Sequence, residues 1–238
     1  MIDSDTIFGF WPRWRADVSL EALLKVMEEH GVDRFLSLST TGIFYDYEEG
    51  NEETLRAAER NPELVPVATV DPRKYSGGKG LVRKLSEEGF KALRFFPDLQ
   101  AWPFTYEPFL ELLREAEEVG MPVMTSAPGL GRITELARAT DGHGVPVVVT
   151  GVNYNQFSEA IAVMRSRDNF YITTSLLDTP DAYEAFVREV GAGRLMFGSY
   201  SPLHYFSSSF LALEKAELGD EDRRLILREN VERLLWGR

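Results

Sequence analysis

Cysteine is absent from this chain, which excludes disulfides, thiolate nucleophiles and zinc–thiolate centres. Histidine is scarce, with only His30, His143 and His204. No uninterrupted apolar run approaches the ~20 residues that a membrane span requires. The first residues carry Asp3 and Asp5 where a secretory leader would carry lysine or arginine. Basic residues are outnumbered, giving a formal net charge of −12, so a nucleic-acid partner is not expected, because phosphate binding is built on clustered Lys and Arg. No glycine-rich fingerprint of the form G-x-G-x-x-G follows the first apolar run, so a dinucleotide cofactor is not expected either. Together these absences predict a cytoplasmic protein with no membrane partner.

What is present describes an ordinary folded chain. Hydrophobic residues make up 44% and charged residues 27% of 238 positions, enough for one large core and one domain over residues 1–238. Short apolar runs alternate with amphipathic stretches. Strands are predicted at Ile2–Phe8, Arg34–Ser39, Val65–Val70, Lys91–Phe96, Pro122–Ser126, Val145–Thr150, Phe170–Ser175 and Arg194–Ser199. Between them helices are predicted at Ser19–Gly31, Glu52–Arg60, Lys79–Glu88, Tyr106–Val119, Arg132–Ala139, Gln156–Ser166 and Pro180–Val190. Two further helices, Phe210–Glu217 and Asp220–Leu235, close the chain. Eight βα units at intervals of roughly 25–30 residues are the arithmetic of a (β/α)8 TIM barrel with an extra C-terminal helix. In such a barrel, side chains at the strand C-termini carry the chemistry.

The stretch Gly191-Ala192-Gly193-Arg194-Leu195-Met196-Phe197-Gly198-Ser199-Tyr200-Ser201-Pro202 has a glycine-flanked entry, a run too short for a helix and a small-residue exit ending in proline. It resembles the last strand of the amidohydrolase superfamily, in the branch called amidohydrolase 2, where Gly-Ser-Asp stands in place of Gly198-Ser199-Tyr200. The similarity extends over Asn51–Val70, Gly89–Arg94, Glu117–Val123 and Ile226–Leu235. It implies an amidohydrolase-like barrel and, by family habit, a hydrolase or decarboxylase that activates water with a metal.

The same resemblance tests each metal position. The family's first strand ends D-x-H-x-H; here the two histidine positions hold Asp5 and Ile7. The strand-five histidine is replaced by Ser126, the strand-six histidine falls near Thr150 or Gly151, and the strand-eight aspartate is Tyr200. Zinc needs imidazole nitrogen or carboxylate oxygen, and a lone carboxylate among hydroxyl, alkyl and phenol groups does not hold it. No metal and no other cofactor is therefore expected, unless a weak oxygen-ligand site forms from Asp3, Asp5 and Asp71.

Arg94 sits in the apolar run Ala92–Phe96, and a guanidinium placed there demands a partner; Asp3, Asp5 and Asp71 are the candidates. If paired, it stabilises the barrel in place of the lost metal charge. If left for ligand, it clamps a carboxylate or phosphate, with Asp5, Tyr200 and His204 as the catalytic proton carriers. Ser126, Thr150 and Trp102 join Arg94 as substrate-binding candidates. The aromatics Trp11, Trp14, Tyr45, Tyr47, Trp102 and Phe104 form either a lid over a small-molecule ligand or a patch for self-association into a homo-oligomer. His30 and His143 read as structural: one ends a helix, the other lies between glycines on the opposite face. Two functional classes stay open: a metal-independent acid–base enzyme on a small organic substrate, and an inactive binding or scaffolding relative.

Overall fold

The computed structural model describes residues 1–12, 15–78 and 80–237. Eight strands form one parallel sheet in sequential order: β1 (Ile2–Asp3), β2 (Arg34–Ser37), β3 (Leu64–Thr69), β4 (Ala92–Phe95), β5 (Val123–Ser126), β6 (Val147–Thr150), β7 (Phe170–Thr173) and β8 (Leu195–Met196). The last strand meets the first. Ser4 N–H donates to Phe197 C=O at 2.8 Å, Tyr200 N–H to Asp5 C=O at 2.7 Å, and Thr6 bridges Ser201 in parallel, closing the circle. The architecture is an α/β barrel.

The helices are α1 (Leu20–Glu29), α2 (Thr41–Phe44), α3 (Tyr47–Arg60), α4 (Leu81–Glu87), α5 (Pro97–Gln100) and α6 (Glu107–Val119). They continue with α7 (Arg132–Ala139), α8 (Phe157–Ser166), α9 (Ala182–Glu189), α10 (Phe206–Lys215), α11 (Asp220–Arg224) and α12 (Asn230–Trp236). A wide π-turn over Leu225–Glu229 joins the last two. None of the described helices is long and apolar enough to cross a membrane.

Local signals set several boundaries. Ser19 caps α1 by accepting Ala22 N–H, and Gly31 follows its end at φ 63°. The third helix starts at Tyr47 instead of Glu52 because Asp46 accepts the N–H groups of both Glu48 and Glu49. Likewise α10 begins at Phe206, four residues before the expected start. The strands at β1 and β8 are much shorter than their apolar runs, since the chain kinks beyond Asp3 and Met196. Lys79, expected to open α4, lies outside the described residues, as do Arg13 and Trp14.

Strand alternation sorts the core into two layers. Outward residues such as Phe35, Leu93, Phe95, Val123, Val147 and Ile172 pack under the helices, while Leu36, Val67, Ala92, Met124, Val148 and Met196 fill the barrel. The family-like asparagines act in this frame. Asn51 of α3 brackets the end of β3, donating to Thr69 C=O and accepting Thr69 N–H, both at 2.9 Å. Asn230 donates to Ala192 and Leu195 C=O at 2.7 Å, tying α12 to the entry of β8. Each asparagine therefore satisfies backbone groups at a strand end that no ladder partner reaches.

Candidate functional site

The seam between β1 and β8 builds the site. Asp3 Oδ1 accepts the backbone N–H groups of Asp5 at 3.1 Å and Ser199 at 3.0 Å, while Oδ2 accepts the Ser199 hydroxyl at 2.5 Å. The Asp3–Asp5 contact is an Asx-type turn, which breaks the strand and lets Asp5 enter the barrel interior. Burial pushes Asp3 up to about 7, although its hydroxyl and backbone donors pull the other way.

Asp5 faces Arg94, the inward residue of β4, with Arg94 Nη2 2.7 Å from Asp5 Oδ1; both side chains are almost fully buried. Of the three candidate partners it is Asp5 that takes the guanidinium. Asp3 is engaged with Ser199, and Asp71 holds Arg73 at 2.8 Å. The Asp5–Arg94 approach is close but off the N–H axis, so Asp5 Oδ1 and Arg94 Nε remain without hydrogen-bond partners. Asp5 Oδ2 accepts the Ser175 hydroxyl at 2.5 Å and, more weakly, that of Thr173 at 3.5 Å. The guanidinium carbon lies 5.1 Å from the Phe96 ring centre and 5.9 Å from that of Tyr200, with a long 3.5 Å contact from Nη2 to Thr150 Oγ1.

Tyr200 has φ 58°, a left-handed conformation that costs a bulky residue about 1–3 kcal/mol. It is held there by its N–H bond to Asp5 and by His204 N–H, which donates to Tyr200 C=O at 3.1 Å. Burial pushes the Tyr200 phenol up to about 12, outweighing the nearby Arg94 charge. His204 stacks on the Tyr200 ring at 5.4 Å, and burial holds its imidazole below the ordinary histidine value against the pull of Asp5 and Asp178.

Beside the ion pair lies a cavity of about 220 Å³. Asp5, Arg94, Asp98, Ser126, Thr150 and Tyr200 supply polar lining, and Trp11, Phe96, Leu99, Pro128 and Leu176 the apolar walls. Five of the seven residues singled out from the sequence thus meet in one place. His204 is not part of the wall and stacks on the Tyr200 ring. Trp102 takes no part in the wall: it is buried between the barrel and α6, edge-on to Phe95 and tilted against Phe109, with its indole N–H donating to Gln100 at 3.0 Å. Phe104 packs in the same outer cluster. Of the expected lid aromatics only Trp11 lines the cavity; Tyr45 is exposed, Tyr47 sits on α3, and Trp14 lies outside the described residues. His30 ends α1 with Nδ1 2.9 Å from Val26 C=O, and His143 pairs with Glu117 at 2.6 Å, far from the strand ends.

Asp98 is the lining residue that sequence reasoning missed. It follows Pro97 directly after β4, in the short helix α5 that aims it at the cavity, and that position was its one available signal. Burial raises its carboxyl; Arg132 and the Ser126 hydroxyl favour the ionised form without cancelling the effect. Among the described residues, no group of three or more His, Asp or Glu side chains converges as a metal centre would need. A larger groove of about 700 Å³ lies outside the barrel beside Tyr75 and α6. There Glu115 is committed to structure, accepting Tyr75 hydroxyl and the N–H groups of Gly80 and Val82.

The closed barrel, the asparagine brackets and the kinked exit of β8 define a class, and the comparison agrees: the amidohydrolase family model matches residues 15–236, and the chain belongs to that family. Among solved structures it is similar to a Pseudomonas putida protein assigned as 2-pyrone-4,6-dicarboxylic acid hydrolase, at 20% identity and TM-score 0.78 over 98% of this chain and 96% of that one. It is also similar to 2,6-dihydroxybenzoate decarboxylase from Rhizobium, at 15% identity and TM-score 0.77 over 98% of each chain. A third likeness is 5-carboxyvanillate decarboxylase from Sphingomonas paucimobilis, at 13% identity and TM-score 0.77, again over 98% of each. At these identities the likeness speaks for the fold. A sequence search of curated proteins found no match.

Proposed function

We propose that this amidohydrolase-family barrel has exchanged its metal for the Arg94–Asp5 pair and binds a small organic molecule in the adjoining cavity, acting on it without a metal. The observation that carries this reading is the guanidinium itself: a permanent cation 2.7 Å from Asp5, in a buried site lined by the positions that would supply metal ligands. The donor set does not fit a transition ion. Of its two carboxylates Asp5 faces Arg94 and Asp98 faces Arg132, Ser126 and Thr150 offer neutral hydroxyls, Ile7 is alkyl, and Tyr200 stays protonated far above neutral pH. A divalent ion seated against Arg94 would also meet like charge.

The proton chemistry available to such a site is limited and specific. Tyr200, with its phenol near 12, is a donor and not a base at neutral pH. His204, its imidazole held below the ordinary histidine value, stacks on Tyr200 and so fixes the plane of the phenol. Asp5 holds Arg94 and the Ser175 hydroxyl in place. The hydrolase and decarboxylases among the similar structures fit a reaction on a small organic substrate, and the cavity suits a compact molecule. A second reading, a binding or scaffolding member without turnover, is favoured by the near-complete burial of the ion pair. No nucleic-acid partner is proposed, and self-association would use the exposed loop aromatics Phe10, Tyr45 and Tyr205.

Metal analysis of the purified protein, with equilibrium dialysis against zinc and manganese, tests the core of this proposal. Substoichiometric, weakly held metal and ligand binding unaffected by chelator are expected. A tightly held, stoichiometric ion lost on Asp5→Ala overturns it.

A further inference from the structure

We infer that the ligand of the barrel cavity is a small organic cation, an ammonium or amidinium group on a compact apolar body, recognised by Asp98. The inference rests on the reading of this cavity as a small-molecule site and names the ligand's charge. It starts from the charges on the wall. Asp5, Arg94 and Asp98 are the ionisable groups there besides Tyr200, which stays neutral. Asp5 and Arg94 cancel each other at 2.7 Å. The charge of the guanidinium is therefore balanced and its faces are covered by Phe96 on one side and Tyr200 on another, although its Nε keeps no hydrogen-bond partner. A carboxylate or phosphate entering the cavity meets no uncommitted cation.

Asp98 is left over. Its nearest cation is Arg132, whose Nη2 stands 3.9 Å from Oδ1, beyond hydrogen-bond range. Arg132 also gives Nη1 to Glu135 at 2.5 Å and lies over the Phe104 ring at 4.7 Å, so its charge is shared three ways. Asp98 is a carboxylate with 34% of its side chain exposed, lining a partly open cavity, whose partners are the Ser126 hydroxyl and an Arg132 that forms only a long ion pair. A ligand N–H⁺ supplies what it lacks, a charge-assisted hydrogen bond in a partly desolvated setting. The other polar groups nearby suit the same ligand, since the Ser126 and Thr150 hydroxyls and the Asn153 carboxamide can all accept from N–H. Trp11, Leu99, Pro128 and Leu176 receive the apolar body. The volume, about 220 Å³, is below the ~300–1,000 Å³ of most ligand sites, which limits the body to about one ring. The similar structures named above for hydrolysis or decarboxylation of carboxylic acids would thus differ from this chain in ligand charge.

Three near-isosteric probes separate the possibilities: benzylamine, benzyl alcohol and benzoate, titrated by calorimetry and ligand-observed NMR against the full chain at neutral pH. The expected result is benzylamine bound at least about tenfold more tightly than benzoate, with benzyl alcohol between them. Asp98→Asn should weaken benzylamine by a similar factor and leave benzyl alcohol unchanged. Because the probe comparison on the unaltered protein needs no variant, it decides the matter even if Asp98→Asn folds poorly. Benzoate binding as well as benzylamine, or benzylamine unaffected by Asp98→Asn in a folded variant, overturns the charge assignment while leaving the small-molecule site standing. Binding of none of the three overturns both.

Discussion

Asp5→Ala is the most informative single change. It removes the one close counter-ion, among the described residues, of a guanidinium whose side chain is 4% exposed, leaving Arg94 with a 3.5 Å contact to Thr150 and two ring faces. Removing one partner of a buried pair costs about 3–5 kcal/mol, because the remaining charge stays desolvated. For a chain of this size each kcal/mol moves Tm by roughly 2–4 °C, so a fall of about 6–20 °C is expected. Arg94→Met should cost less, since Asp5 keeps the Ser175 and Thr173 hydroxyls as hydrogen-bond donors. The double variant Asp5→Leu with Arg94→Met exchanges the pair for apolar volume and should recover most of the loss, giving a coupling of several kcal/mol in the cycle. Urea unfolding followed by circular dichroism measures all four corners. A loss below about 1 kcal/mol for Asp5→Ala, as for a solvent-exposed pair, or strict additivity, would refute the claim that this charge pair occupies a dry metal position.

Three other outcomes follow from the same geometry. Asp3 is raised from 3.8 to about 7, so the folded protein holds a proton that the unfolded chain has released; its contribution is full below pH 3.8 and is lost as pH rises through 7. Relative to wild type, Asp3→Asn should therefore gain on the order of a few kcal/mol between those limits, and denaturant titrations at several pH values giving a flat difference would contradict this. Gly198→Ala places a methyl 2.8 Å from Asp5 Cβ and 3.1 Å from Thr173 Cβ, so it should cost about 1–3 kcal/mol and weaken ligand binding by displacing Asp5, measured by thermal melts and probe titration. Gly50→Ala drives its methyl into the backbone of Gly42, where nothing flexible can yield, and a loss of about 3 kcal/mol or more is expected in urea unfolding.

The sequence by itself determined the architecture. Short apolar runs of strand length, each followed by an amphipathic helix with its cap and glycine stop, admit few arrangements, and Ser19, Gly31 and Gly120 act locally as their types predict. It also placed Asp5, Ser126, Thr150 and Tyr200 at strand C-termini, and these four line one cavity. Strand limits were less legible: the first and last apolar runs read as full strands, whereas Asp3 and Tyr200 bend the chain through contacts about two hundred residues apart.

Only the tertiary structure decided what those residues do to one another. Asp3, Asp5 and Asp71 were equivalent partners for Arg94 on paper. Ser199, from the far end of the chain, and Arg73, two residues on from Asp71, claim two of them by hydrogen-bonding those carboxylates. Trp102 and Phe104 read as mouth aromatics and proved to be core, since α5 turns them beneath α6. Asp98 had little to distinguish it in the chain; its place in the cavity wall, with Arg132 3.9 Å away, appears only in the folded structure. Periodicity and caps are properties of nearest neighbours and are written along the chain, whereas charge compensation and desolvation depend on which remote groups share a small dry space, and folding alone brings those together.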